Sequence, residues 1–461
     1  MKYIDENKIQ NILEKTQNSK SFSIDEILEK AKELKGLNIE ELAFLLNVED
    51  EKDLEKIFKV ASFVKKEIYG KRIVLFAPLY TSNICTNNCL YCSFQVNNKS
   101  LKRKALSYDE VKTQTEILLK TGQKRILLVS GESNILDKKP IDYYLECIKA
   151  VYDARYKNNN IRRVNINVAP LTIGEFKELK NANIGTYQIF QETYHEKTYK
   201  ALHTLGSKKD PDKRISAIDN AFLAGIDDVG MGALLGLYDY KFEILALFMH
   251  IEALQNIYGI GPHTISVPRL EPSFGVNFEN DKNFYHFVSD KDFKKIVATL
   301  RIAVPYTGLI LSTRETENMR NFLLNLGISQ MSAASSVEPG GYDKKNENNQ
   351  FILSDSRSLK EVLESIIESG YIPSFCTACY RKSRTGKTFM NLAKPGNIKY
   401  NCHLNSLITL KEYLLEFGDK NLLEKGNNLL NNEINSLGKD EKILLENIFS
   451  RLENGERDIF L

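Results

Sequence analysis

Six of the seven cysteines in this 461-residue chain fall into two groups. Cys85, Cys89 and Cys92 sit within NICTNNCLYCSF, and Cys376, Cys379 and Cys402 sit in a tail that begins PSFCTACYRK. The C-x3-C-x2-C spacing lets one loop wrap three corners of a cubane cluster. A [4Fe–4S] cluster usually takes four thiolates, so three on a tight loop leave one iron open to an outside ligand. A structural zinc loop would want a fourth Cys or His close by, whereas the next cysteine, Cys147, belongs to an apparent helix, DYYLECIKAVYDA. The tail holds a second set of three thiols, Cys376-x2-Cys379 followed after 22 residues by Cys402, which alone suits a metal or cluster site. With the adjacent His403 it also matches a Cys3His zinc site, and residue types alone leave both readings open.

Other residues able to do chemistry stand at the ends of apolar runs. LLVSGES ends in Gly131, Glu132 and Ser133; FQETYH carries Glu192; DPDKRIS carries Arg214; and Tyr91 lies inside the first cysteine loop. Each is equally compatible with an ordinary turn or a satisfied polar group at an element end. LILSTRE places Ser312, Arg314 and Glu315 together. A planar guanidinium pairs bidentately with a carboxylate, although Arg314 beside Glu315 also reads as a surface ion pair. His263 opens GPHTISVPRLEP, where a lone His at a strand end reads as a hydrogen-bonded rim residue. A strand through this stretch gives His263 and Arg269 the same facing, roughly 20 Å apart. Cys147 is expected to be a buried helix residue. His195 suits proton transfer or a structural role, and His203, His250 and His286 receive no metal role.

The elements that position these residues follow from the hydrophobic period. Residues 1–71 read as a helical extension, with SIDEILEKAKELK, LNIEELAFLLN and DLEKIFKVASFVKKEIYG at helical spacing. From 72 to 337 eight short β-branched runs alternate with amphipathic stretches: RIVLFAPLY, RILLVSG, RRVNINVAP, GTYQIFQET, DDVGMGALLG, HTISVPRLEP, GLILSTRE and SQMSAASSV. Eight alternations point to an α/β fold, a (β/α)8 TIM-type barrel whose βα loops build the active face. The first cysteine loop comes directly after the first strand. After Val337, EPGGYDKKNENNQ reads as a loop or mobile boundary, and 338–461 as a cysteine-bearing, mainly helical extension.

The formal charge of +3 is spread through mixed Lys/Glu helices, which argues against a nucleic-acid or membrane footprint. No apolar run reaches spanning length and the N-terminus has no signal-like core. A cytoplasmic protein is expected, and in that reducing compartment clustered cysteines are metal ligands or catalytic thiols before they are disulfides.

The C-x3-C-x2-C loop with an aromatic before its last cysteine resembles the radical S-adenosylmethionine (SAM) superfamily. YQIFQETYH, GIDDVGMGALLGLYDY, STRE and EPGGY resemble its aromatic amino-acid lyases, from about Arg72 to about Leu410. The cysteine tail narrows the resemblance to the tyrosine lyases that mature [FeFe]-hydrogenase, since the thiazole-pathway lyases are expected to lack it. The resemblance implies a SAM-binding [4Fe–4S] cluster on Cys85, Cys89 and Cys92. It implies cofactor contacts from Tyr91, Gly131, Glu132, Ser133, Glu192 and Arg214, and a tyrosine carboxylate held by Ser312, Arg314 and Glu315. It further implies a second [4Fe–4S]-type cluster on Cys376, Cys379 and Cys402 with an extra labile iron on His263. L-tyrosine would be cleaved at Cα–Cβ to p-cresol and dehydroglycine, and the latter converted to carbon monoxide and cyanide. Expected partners are other maturation proteins and an electron donor such as ferredoxin or flavodoxin. The competing readings are a lyase that stops at dehydroglycine, one whose second cluster donates sulfur, or a non-catalytic iron–sulfur carrier with a zinc-bound tail. Two clusters at opposite mouths of one barrel would require small residues to leave an internal passage between them.

Overall fold

A computed structural model describes residues 1–17, 19, 21–276, 285–343 and 349–461. Four helices come first: Glu6–Gln17, Ile24–Ala31, Ile39–Leu46 and Glu51–Tyr69. Their starts are written locally: Ser23 accepts from the Glu26 amide, and Asn38 and Glu41 form a capping box. The fourth buries Leu54, Ile57, Ala61, Val64 and Ile68, a stripe at three- and four-residue spacing, against the barrel helix Asp290–Ala303.

The barrel strands are β1 Arg72–Ser82, β2 Arg125–Ser130, β3 Arg163–Asn167, β4 Tyr187–Glu192, β5 Val229–Ala233, β6 Thr264–Ser266, β7 Gly308–Leu311 and β8 Ile328–Ser332. All pair in parallel in sequence order, and β1 bonds both β2 and β8, so the sheet closes. Each of the eight expected runs overlaps one strand. β1 runs two residues past its expected end, to Ser82, whereas the other seven strands stop short of the C-terminal ends of their runs, because the chain leaves the barrel there to build loops. Hence β6 stops at Ser266, before Pro268, and the expected shared facing of His263 and Arg269 does not hold. His263 lies just below the strand, and Arg269 is turned to Glu315 and Asp290.

A ninth strand, β9 (Ile372–Ser374), was not legible in the sequence. It pairs in parallel with Arg72–Val74 at the beginning of β1. Val74 also pairs Gln330 of β8, so β9 occupies the edge that β2 joins only from Ala77 onward. This delivers Cys376 to the N-terminal mouth of the barrel. The helices Ala378–Arg381, Gly386–Ala393 and Ile398–Phe417 then wrap that mouth, backed by Lys420–Asn435 and Lys439–Glu453.

Of the expected loop EPGGYDKKNENNQ, residues 344–348 lie outside the described residues. Beyond them the chain forms a strap across the opposite mouth. The Ile352 amide donates to the Pro272 carbonyl at 3.0 Å, and the Ser354 amide to the Thr313 carbonyl at 3.0 Å. Asp355 anchors the strap through Arg320 at 3.1 Å and Arg357 at 2.6 Å. Among the described residues no helix is long and apolar enough to cross a membrane.

Candidate active site

The C-terminal ends of the barrel strands enclose a cavity of about 240 Å³. Cys85, Cys89 and Cys92 all line it, on a loop that leaves β1 after Ser82. Local backbone bonds fix the loop: Cys92 N donates to Cys89 O at 3.0 Å, Leu90 N to Leu202 O at 3.0 Å, and Thr86 N to Glu132 O at 2.9 Å. Gly131 lets the loop sit against the end of β2, because a Cβ there would stand 2.3 Å from the Ile84 carbonyl oxygen. Burial pushes the Cys89 thiol up to about 12 and raises Cys92 as well. Buried thiols that resist ionisation in the bare protein, gathered at one cavity and free of disulfides, suit a polynuclear iron centre, whose positive charge makes the thiolate the stable form.

Around this loop Glu132 accepts from Asn87 Nδ2 at 2.6 Å and from Ser207 Oγ. Glu192 ends β4 at a register shift with φ of 73°, a strained backbone for a residue with a side chain. The strain aims its carboxylate at Lys208 Nζ, 2.6 Å, and Arg214 Nη2, 3.2 Å. Burial alone would raise the Glu192 carboxyl, but Lys208 and Arg214 hold it below the ordinary carboxylate range. Tyr91 bonds His203 Nε2 at 2.8 Å, and burial drives that imidazole down to about 3, so it stays neutral. Tyr91, Gly131, Glu132, Glu192 and Arg214 all line the cavity. Ser133 does not: its hydroxyl turns to the Asn134 carbonyl.

Across the cavity stand Ser312 and Arg314. Arg314 has no carboxylate partner among the described residues; Nη1 donates only to the Arg269 carbonyl at 3.3 Å. Enclosure lowers its guanidinium below the usual value. Glu315 departs from the expected role, since it is buried, off the cavity wall, and held by Arg269 through both carboxylate oxygens. Arg269 therefore takes the acid that the sequence pairs with Arg314.

At the opposite mouth a smaller cavity, about 30 Å³, is lined by Cys376, Cys379, Cys402 and His263 together with Arg72, Arg125 and Arg384. His403 is absent from this wall; it lies 3.7 Å from Glu433 instead. Neighbouring residues on a helix point about 100° apart, which sends Cys402 inward and His403 outward. Among the described residues, no group of three or more His, Cys, Asp or Glu is gathered tightly enough to hold a single metal ion. His263 Nδ1 sits 3.1 Å from Asp228 Oδ2, both buried and without a hydrogen bond between them. Burial keeps His263 below the ordinary imidazole value, with Asp228 acting against it. Burial and the neighbouring thiols raise Cys379 and Cys402. From Phe375 to Lys411 the chain has seven Lys and Arg and no Asp or Glu, a field that favours an anionic thiolate-bound cluster.

The two cavities share no lining residue. They are nonetheless separated by little: Arg125 and Leu127 of β2, alternate residues, line one each, as do Gln330 and Ser332 of β8. Cys147 is buried in the helix Pro140–Asp153, and His195 stacks on Tyr238 with Nδ1 2.7 Å from Thr198. Sequence reasoning missed Asn87, Lys208, His203 and Asp228. Asn87 was reachable from its place inside the cysteine loop, whereas nothing local distinguishes Lys208 from other surface lysines.

Comparison with known proteins gives two family matches: the Radical SAM superfamily over residues 79–249 and the Biotin and Thiamin Synthesis associated domain over 266–372. The chain is 31% identical to the 2-iminoacetate synthase of Escherichia coli (strain K12) over 322 residues, 69% of this chain and 82% of the relative. A crystal structure of HydG, described as a maturase of the [FeFe]-hydrogenase, is 47% identical with a TM-score of 0.96, covering 100% of both chains. HydG from Carboxydothermus hydrogenoformans is 42% identical with a TM-score of 0.83, covering 96% of this chain and 97% of that one. Methylornithine synthase (PylB), at 21% identity and a TM-score of 0.60 over 77% of this chain and 99% of its own, shares the fold.

Proposed function

The chain belongs to the radical SAM family that contains the HydG maturases of [FeFe]-hydrogenase, and from that membership we propose how its two cysteine sites divide one reaction. It is a radical SAM tyrosine lyase serving [FeFe]-hydrogenase maturation. The observation that carries the division is the placement of two three-thiol sets at opposite mouths of one barrel.

Cys85, Cys89 and Cys92 would hold the SAM-binding [4Fe–4S] cluster, which when bound supplies the 5′-deoxyadenosyl radical. Gly131 and Glu132 present the turn after β2 to the methionine part of the cofactor. The Glu192–Lys208–Arg214 group, one carboxylate between two cations, forms a net positive wall beside it, and Tyr91 is tied to His203. Arg314, without a carboxylate partner among the described residues, binds that of tyrosine, with Ser312 beside it. Glu315 serves this indirectly by holding Arg269, whose carbonyl accepts from Arg314. Tyrosine fixed by its carboxylate is cleaved between Cα and Cβ to p-cresol and dehydroglycine.

The small fragment then moves down the barrel past Gln188, Thr264 and Gln330, polar residues where most barrels place bulky aliphatics. At the far mouth Cys376, Cys379, Cys402 and His263 would hold a second [4Fe–4S]-type cluster with an extra iron, which supplies the metal on which carbon monoxide and cyanide are collected. Asp228 lies beside His263 there, and Arg72, Arg125 and Arg384 hold the mouth electropositive. Other maturation proteins would take the product, and a ferredoxin or flavodoxin would supply the electron. Replacing Cys85, Cys89 and Cys92 with Ala should abolish 5′-deoxyadenosine and p-cresol together. Continued SAM cleavage in that variant would overturn the assignment.

A further inference from the structure

The strap that crosses the active mouth carries Gln350 and Phe351 into the cavity wall. Phe351 is buried, and its ring centroid lies 3.6 Å from Arg314 Cζ. Gln350 accepts from the Tyr80 hydroxyl at 2.7 Å and approaches Cys92 Sγ with Nε2 at 3.6 Å. One dipeptide therefore touches both the cluster loop and the arginine assigned to the substrate. Its place is fixed from both sides, by the Gln350 amide bonding the Val337 carbonyl and by the Ile352 and Asp355 anchors.

Among the described residues Arg314 has a single side-chain hydrogen bond, a long one, and no ion pair. A guanidinium so loosely held would swing, and its fork would meet a carboxylate in many orientations. The face of an aromatic ring restricts it to one plane while leaving the N–H edge free, because the ring's quadrupole attracts the flat face of the cation. We propose that Phe351 is a positioning residue, a π platform that sets the plane of Arg314 so that its N–H edge meets the tyrosine carboxylate. This rests on the carboxylate role given to Arg314 above. The strap thus adds a residue from beyond β8 to the barrel's substrate site, tying tyrosine recognition to closure of the mouth.

The test is steady-state kinetics of Phe351→Leu, Phe351→Tyr and Arg314→Lys in the reconstituted full-length enzyme, titrating tyrosine and SAM separately. Leu keeps apolar bulk and removes the π face. A desolvated cation–π contact is lost with it, so the tyrosine KM should rise about 5- to 30-fold, while the SAM requirement holds. Phe351→Tyr restores the face and should restore the tyrosine KM. Iron content equal to wild type shows that the variants fold. An unchanged tyrosine KM in Phe351→Leu overturns the inference, as does a Tyr variant as impaired as the Leu variant, which would make Phe351 a plain wall. Arg314→Lys separates the layers: if it leaves tyrosine binding intact the carboxylate reading fails, and if it alone impairs binding only the platform fails.

Discussion

Arg314 shows how far a single residue is legible. Its type and its place at the end of an apolar run announce a carboxylate partner, yet the sequence offers Glu315 and the structure gives that acid to Arg269. Among the described residues Arg314 has no acid of its own, and a substrate can supply one. A charge-assisted bidentate contact is worth about 1.5–3 kcal/mol, so Arg314→Ala should raise the tyrosine requirement roughly ten- to a hundredfold at unchanged SAM affinity, measured by initial rates of p-cresol formation. An unaltered tyrosine dependence would place the substrate elsewhere. The cysteines were legible because their spacing is local. Lys208 and Asp228 were not, because each acts only through a residue distant in sequence, Glu192 in the first case and His263 in the second. His263→Ala should lose the extra iron while both three-cysteine sets keep their clusters, read by iron content and electron paramagnetic resonance. Retention of all iron would remove His263 from the site.

At the scale of elements, period and length marked eight strands, but not β9, three residues with no room for alternation. Its position is decided by the free edge of β1 below Ala77, a fact of closure geometry. The strap was hidden for a similar reason: a loop rich in Gly, Asn and charge does not declare what its far end will cover. Another element-level joint is Glu243, on the helix Tyr240–Tyr258, which accepts from Thr193 and from the Tyr194 amide at 2.8 Å and so pins the chain leaving β4. Burial raises its carboxyl from 4.5 to about 8. The folded protein therefore holds a proton that the unfolded chain releases, and stability is greatest below the unfolded value and declines as pH rises to about 8. His203 and His250, driven down to about 3 by burial, act in the opposite sense, losing stability as pH falls below 6.5. Between about 7 and 8 those imidazoles are neutral in both states, so Glu243→Gln should flatten the decline of the unfolding midpoint there. A slope equal to wild type would mean that the carboxyl is ionised in the fold.

For the molecule as a whole, β1 is the axis on which the two sites are hung. Its C-terminal end launches the first cysteine loop, and its N-terminal end holds β9 and thus the second set, about 30 Å away along the strand. One barrel thereby keeps the two three-cysteine sets apart. The eight alternations pointed to a barrel with an extension at each end; only the assembled sheet shows that the C-terminal extension lines one mouth with thiols and crosses the other with a strap. The division of labour is tested most directly by the products of Cys376→Ser/Cys379→Ser in the anaerobically reconstituted full chain given tyrosine, SAM and a reductant. If the two sites divide the reaction, p-cresol forms at a rate close to wild type while carbon monoxide and cyanide disappear. Undiminished carbon monoxide from that variant would contradict the division.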